Sequence, residues 1–196
     1  MEDAQALVPP VLNGAGFWIR AAARVIDTIF GFVLGFVVGI ICGIALVMLS
    51  KTGIVSPGWQ DRIRGLHIVP FLFSAIGNLG YHTMMEGLYG ASVGKLVCQL
   101  RVLREDGTPI GFSGAIVRSL AYYVDALFFG LIGYSKMRES DLNQRFGDHW
   151  AHTVVVRTAD VPDSSRQGSL YLILGLFVGS ALWAACAAAG LMIQAF

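Results

Sequence analysis

Residues 28–49, TIFGFVLGFVVGIICGIALVML, run for 22 positions without a charged side chain. A helix rises 1.5 Å per residue, so about 20 such residues cross the roughly 30 Å hydrocarbon core of a bilayer. Two other stretches are comparable. Residues 66–85 make 20 positions whose only ionisable groups are His67 and His82, and residues 167–196 make 30 positions with no charge. The whole chain is 55% hydrophobic and 14% charged, against roughly 25% charged in soluble domains. Its solvent is therefore partly lipid, and the bilayer is its first partner. A net charge of +1 gives no basic footprint for nucleic acid.

A fourth apolar region, residues 110–135, is interrupted by Arg118 and Asp125. Its longest uncharged run, 126–135, has ten residues, which suits an interfacial or re-entrant segment better than a span. Charge counting agrees. If this segment does not cross and the N-terminus is cytoplasmic, the cytoplasmic side holds Arg20, Arg24, Lys95, Arg101, Arg104, Arg118, Lys136, Arg138, Arg145, Arg157 and Arg166. The outside holds only Lys51, Arg62 and Arg64. That asymmetry is the one the positive-inside rule favours. The expected fold is a membrane all-α protein with three transmembrane helices, a re-entrant or interfacial helical segment and a small cytoplasmic β element. It would be multi-pass in the cell (cytoplasmic) membrane, with the N-terminus inside and the C-terminus outside. Residues 1–10 carry Glu2 and Asp3 and no base, so no cleavable signal is expected.

Residues 51–65, with Pro57, Gly58 and Trp59, form the expected outer loop. Residues 96–104 are rich in Val and Leu, and Asp106-Gly107 is a turn signal. Residues 153–157 are the expected partner strand. Cys42, Cys98 and Cys186 are far apart and read as small apolar residues. No zinc spacing and no disulfide framework emerges.

Several patterns bear on function. Arg20, Asp27 and Gly35 have the same spacing as Arg118, Asp125 and Gly133, a short internal repeat. Gly31, Gly35, Gly39 and Gly43 fall four apart in the first span, and Gly175 and Gly179 do so in the last; such faces let helices approach closely in lipid. They serve packing within one chain, self-association into a homo-oligomer, or the lining of a pore. Ser74, Asn78, His82 and Glu86 form a polar stripe on the second span, either hydrogen-bonding between helices or lining an ion or proton pathway. Near the cytoplasmic face, Arg20, Arg24 and Arg118 balance Asp27, Glu86 and Asp125. Arg24 and Asp27, three apart, can pair. An isolated charge in hydrocarbon costs at least about 2.5–3.5 kcal/mol, so six charges at one depth are expected to meet, as a structural clamp or a solute site.

Ordered segments of the chain resemble the RDD family of membrane proteins. Gly16-Phe17-Trp18-Ile19-Arg20, Ala23 and Ile26-Asp27 resemble its opening helix. Gly94-Lys95, Leu100-Arg101-Val102, Asp106-Gly107 and Pro109 resemble its strand and turn. Asn143-Gln144-Arg145-Phe146-Gly147-Asp148, Ala151 and Thr153-Val154-Val155-Val156 resemble its closing segment. The resemblance implies an RDD-like membrane domain over 1–157, with spans near 19–49 and 66–89, a β element of 96–104 with 153–157, and a dipping segment of 110–135. Residues 158–196 would be a linker and an additional C-terminal transmembrane helix. The resemblance carries over Arg20, Asp27 and Asp148 as family residues. It implies a part in transport, and for some members an exchange of cations for protons. The chain departs in having Ala151-His152-Thr153 where the family commonly has Ala-Gly-Thr.

These readings point to a small transporter or cation/proton exchanger acting as an oligomer on an unidentified ion or solute. The alternative is a non-transporting scaffold or accessory subunit that docks a membrane-protein partner through its basic cytoplasmic region. No nucleophile elbow, phosphate loop or metalloprotease motif is present, so no enzyme activity and no cofactor are expected. His149 and His152 could share a helical face, but no third ligand is near in sequence, and no metal site is expected.

Overall fold

The computed structural model describes residues 12–56, 58–64, 68–125 and 131–196. Helix α1, Phe17–Lys51, has 35 residues, or about 50 Å of axis. Its apolar part alone matches a bilayer, and its first three turns, which carry Arg20, Arg24 and Asp27, extend beyond it. A short α2, Trp59–Arg64, lies in the connection to α3, Ile68–Tyr89. Then come α4, Val93–Val97, and strand β1, Leu100–Arg104. Helices α5, Gly111–Asp125, and α6, Leu131–Glu139, precede α7, Phe146–Trp150, strand β2, Thr153–Arg157, and the terminal α8, Ser169–Ala195. Helix α1 and the segment Asp163–Ala195 are long and apolar enough to cross a membrane. The polar stripe makes α3 less apolar than these two. Phe32, Phe36, Phe71 and Phe177 are more than half exposed, a surface suited to lipid rather than water.

Helix α3 runs antiparallel to α8 along a seam of small residues. Gly175 meets Met85, Gly179 meets Tyr81, Gly77 meets Trp183 and Cys186, and Gly190 meets Pro70 and Phe73. Helix α1 joins through Val38 and Cys42 against Ala187, and Gly35 lies under the Trp183 ring. So Gly35, Gly175 and Gly179 pack within one chain. Gly31, Gly39 and Gly43 have nothing within 4 Å of where a Cβ would stand. At the end remote from the sheet, Leu46, Val55 and Ala195 form a small core. Arg62 donates to Ala195 O at 2.9 and 2.7 Å, so the end of α8 lies beside the α1–α3 connection.

Helix α5 starts with Phe112 against Gly87 and climbs α3 until the Tyr123 hydroxyl donates to Ala75 O at 3.0 Å. Helix α6 then lies beside the start of α1, with the Tyr134 and Phe17 rings 5.0 Å apart. Residues 126–130, part of the uncharged run 126–135, lie outside the described residues, as do His67 and Pro57.

The expected strand 96–104 begins later than its composition suggests. Val93–Val97 is helical and β1 starts at Leu100. The valine-rich pattern was overridden because Gly94 N–H is anchored to Asp27, which starts a helical turn. Gln99 (φ 54°) then redirects the chain. His152 (φ 50°) does the same before β2, which explains why glycine suits that position. His149 and His152 therefore share no helical face.

The sequence repeat proves more extensive than its three matched residues. Gly94 lies against the Ala23 carbonyl, and Gly147 against the Ala121 Cβ; each alanine stands midway between the arginine and aspartate of its copy. At one constant offset, α4, Gln99 and β1 correspond to α7, His152 and β2. The strands pair antiparallel about Val102↔Val155, with Leu100↔Arg157 and Arg104↔Thr153 at the ends, a register with local two-fold symmetry. The outer edges are covered, Val102 N–H donating to Gly90 O and Ala15 N–H to Val155 O, each at 2.7 Å. The third matched pair has no such equivalence: Gly35 faces Trp183 in α1, whereas Gly133 faces Asp125 from α6.

Candidate functional site

The charged residues meet where α1, α3, α4, α5 and α7 converge. Asp27 accepts from Ser92 Oγ at 2.6 Å and Gly94 N–H at 2.7 Å, fixing the chain's turn into α4. That turn delivers Lys95 to Glu86 Oε1 at 2.5 Å. Glu86 Oε2 accepts from Arg118 Nε at 3.0 Å. Arg118 also binds Asp148 and donates to Thr153 Oγ1 at 2.9 Å. Asp148 is bound on its other oxygen by Arg20, whose second nitrogen donates to Asn143 O at 2.9 Å. The two repeat-related arginines thus grip one carboxylate. Asp148 also accepts from Arg145 N–H at 2.9 Å. Arg145 Nε lies 3.8 Å from Asp148 and 3.9 Å from Asp125.

Every member of this chain of ions except Arg145 is nearly or wholly buried. A buried ion loses several kcal/mol of hydration and needs both a partner and saturating hydrogen bonds. Burial pushes the Asp148 carboxyl up, but the Arg118, Arg20 and Arg145 guanidiniums outweigh it and hold it well below the usual carboxylate range. Burial pulls the Lys95 ammonium below its ordinary value, against the opposing pull of Glu86.

Arg24 and Asp27, which can pair by spacing, do not form an ion pair. Asp27 is committed to α4. Arg24 instead donates to His82 Nε2 at 2.5 Å and stacks its guanidinium 3.6 Å over the Tyr122 ring. Arginine has no acceptor, so His82 Nε2 accepts and the ring proton resides on Nδ1. Arg20, Arg24, Asp27, Asn78, His82, Glu86 and Arg118 all line one cavity of about 50 Å³, with Lys95, Ser119, Tyr122 and Arg145. Asp148 lies behind Arg20 and Arg118. Asp125 opens instead onto a larger, more apolar space of about 410 Å³, with Gly133 and Met137. Ser74, one turn beyond Asn78, lines neither.

The cavity is roomy for a few waters, since a site needs about 10–15 Å³ by this kind of measure to hold one. His82 Nδ1 and Ser119 Oγ, on two of its lining residues, are buried with no hydrogen-bond partner, as are Arg145 Nε and both carboxylate oxygens of the neighbouring Asp125. Sequence reasoning found seven of the lining residues and missed Lys95, Arg145, Ser119 and Tyr122 as members. Lys95 and Arg145 stand beside Gly94 and Phe146 inside motifs already noticed, which was the available signal. Among the described residues no group of three or more His, Cys, Asp or Glu could hold a metal.

A proline-rich antigen of Mycobacterium leprae (strain TN) is 34% identical over 124 residues, covering 57% of this chain and 49% of that protein. Proline-rich antigen homologs of Mycobacterium tuberculosis, strains CDC 1551 / Oshkosh and ATCC 25618 / H37Rv, are each 42% identical over 53 residues, 26% of this chain and 21% of theirs. The chain thus spans about half the length, or less, of these curated relatives. No solved structure matches. The RDD family pattern matches residues 14–152, the stretch that holds Arg20, Asp27, Glu86, Arg118 and Asp148, and the chain belongs to this family of membrane domains.

Proposed function

We propose that this protein is a small membrane transporter whose solute binds in the cavity between α1, α3 and α5. The observation that carries this reading is the pair of unpartnered buried polar atoms, His82 Nδ1 and Ser119 Oγ, on residues that line the same cavity as the cluster of ions. Each unpaired buried polar group costs about 1–3 kcal/mol, a cost that a solute bound in the cavity would offset. In this reading α1, α3 and α8 cross the membrane, the N-terminus is cytoplasmic, and α5–α6 enters and leaves on the cytoplasmic side. Three crossings are few for a pathway, and the open glycine face at Gly31, Gly39 and Gly43 offers a surface for a second copy.

Reconstituted proteoliposomes test this. Wild-type protein is expected to carry an ion or proton flux above protein-free vesicles. Glu86→Gln and Asp27→Asn are expected to lower that flux tenfold or more while remaining in the vesicles. Absence of flux from the wild-type protein across common cations, anions and protons would overturn the proposal.

A further inference from the structure

We infer that the solute site is an anion site, sized for one small monovalent anion such as chloride. This rests on the proposed role of the cavity and names its ligand class. The first support is the charge balance. Five cations line the cavity: Arg20, Arg24, Lys95, Arg118 and Arg145. Four carboxylates stand in or directly behind it: Asp27, Glu86, Asp125 and Asp148. One positive charge is left over. Among the described residues Arg24 forms no ion pair with a carboxylate; its partners are the neutral His82 ring and the Tyr122 face.

The second support is the direction of the available hydrogen bonds. Both oxygens of Asp27 and both of Glu86 already accept a donor. A cation entering the cavity would meet guanidiniums and an ammonium, with each lining carboxylate oxygen already engaged. The unpartnered atoms on this cavity's own lining residues, His82 Nδ1, Ser119 Oγ and Arg145 Nε, favour an anion, whereas the unpartnered oxygens of Asp125 belong to the neighbouring, larger space. His82 Nδ1 carries a proton, for the reason given above, and Ser119 Oγ can donate one. Both residues are at least nine-tenths buried. An anion in this cavity lies in the field of Arg24, and small side-chain rotations would bring it the two donors in a site of low dielectric, where such contacts are strongest. The volume of about 50 Å³ admits a desolvated halide and excludes an organic phosphate.

The test is thermal unfolding of the purified protein in detergent, titrated with sodium chloride at constant ionic strength made up with sodium gluconate. A saturable rise of roughly 3–6 °C is expected at ten times the chloride Kd. The rise should be unchanged when sodium is replaced by potassium or choline, and absent in Arg24→Gln. Ser119→Ala, which keeps the charge and the fold, should weaken chloride several-fold and serves if Arg24→Gln does not fold. A shift that follows the cation instead would overturn the anion assignment while leaving the cavity a solute site. A chloride shift undiminished in both variants would place the anion elsewhere and overturn the inference. No ion-specific shift of any kind would overturn it together with the reading on which it rests.

Discussion

Replacing Asp148 by asparagine is expected to destabilise the protein by about 3–5 kcal/mol, the range for removing one partner of a buried ion set. The size follows from the position of this carboxylate. Its side chain is fully buried, and Arg20 and Arg118 reach it from helices of the two repeated units. Asparagine preserves shape and volume but leaves two guanidiniums facing each other without the anion between them. Asp163→Asn is the contrast. Asp163 pairs with Arg166 at 3.3 Å with 92% of its side chain exposed, where such pairs contribute little, and no measurable change is expected. The pH dependence has a definite sign. The folded-state value for Asp148 is depressed, so its contribution is complete above the ordinary carboxylate value near 3.8 and is lost only as pH falls through the lower folded value. The gap between wild type and Asp148→Asn should therefore stay constant from neutral pH down to about 5. Detergent-extract unfolding curves for the three proteins measure all of this. A variant as stable as wild type would mean that the arginines find other partners.

Gly94→Ala is expected to be comparably severe for a steric reason. A Cβ at this position would lie 1.9 Å from the Ala23 carbonyl oxygen and 2.9 Å from Asp27 Cγ. The obstacle is helix backbone, which cannot swing aside as a side chain can, so α4 must move away from α1. That motion breaks the Asp27 bond to Gly94 N–H and shifts Lys95 from Glu86. Overpacking of about 1–3 kcal/mol and loss of a charge-assisted hydrogen bond of about 1.5–3 kcal/mol together predict little folded protein after extraction. Gly39→Ala is the control for folding of the single chain: nothing within the chain stands near its missing Cβ, and an alanine in a helix interior favours the fold by about 0.5–1 kcal/mol. Equal yields of monodisperse Gly94→Ala and Gly39→Ala protein would refute the close approach of α4 to α1.

These two sites mark where the sequence was readable and where it was not. The long apolar helices were legible because a bilayer imposes a length that composition alone reveals. The clustering of Arg20, Asp27, Glu86, Arg118 and Asp125 followed from the cost of isolated charge, but the partners within the cluster did not. Spacing in one helix paired Arg24 with Asp27. The fold instead gives Asp27 to the turn before α4, because backbone amides there need an acceptor. The glycines at 31, 35, 39 and 43 read as one face. A four-residue step drifts by 40°, and over twelve residues the set winds by about 120°, so only Gly35 meets α8. The β1 boundary was misread because valine and leucine mark an apolar neighbourhood, and the Asp27 anchor that turns residues 93–97 into helix lies some 65 residues upstream. The repeat was faint for a related reason. Its copies share a backbone path and a few contact residues, while Lys95 and Asp148, at equivalent positions, have opposite charge.

On the proposed function this charge cluster encloses a wet cavity and is not a dry clamp. The most direct test is cysteine accessibility at Ser119, in a background where Cys42, Cys98 and Cys186 are replaced by alanine. Ser119→Cys should react with a small hydrophilic methanethiosulfonate, applied to membranes sealed with the cytoplasmic face outward, at least tenfold faster than Ser180→Cys. Ser180 is also without a hydrogen-bond partner but lies in α8, away from the cavity. Ser119→Cys reacting no faster than Ser180→Cys, in protein shown to be folded, would contradict the account and leave the arginines and carboxylates as a structural clamp.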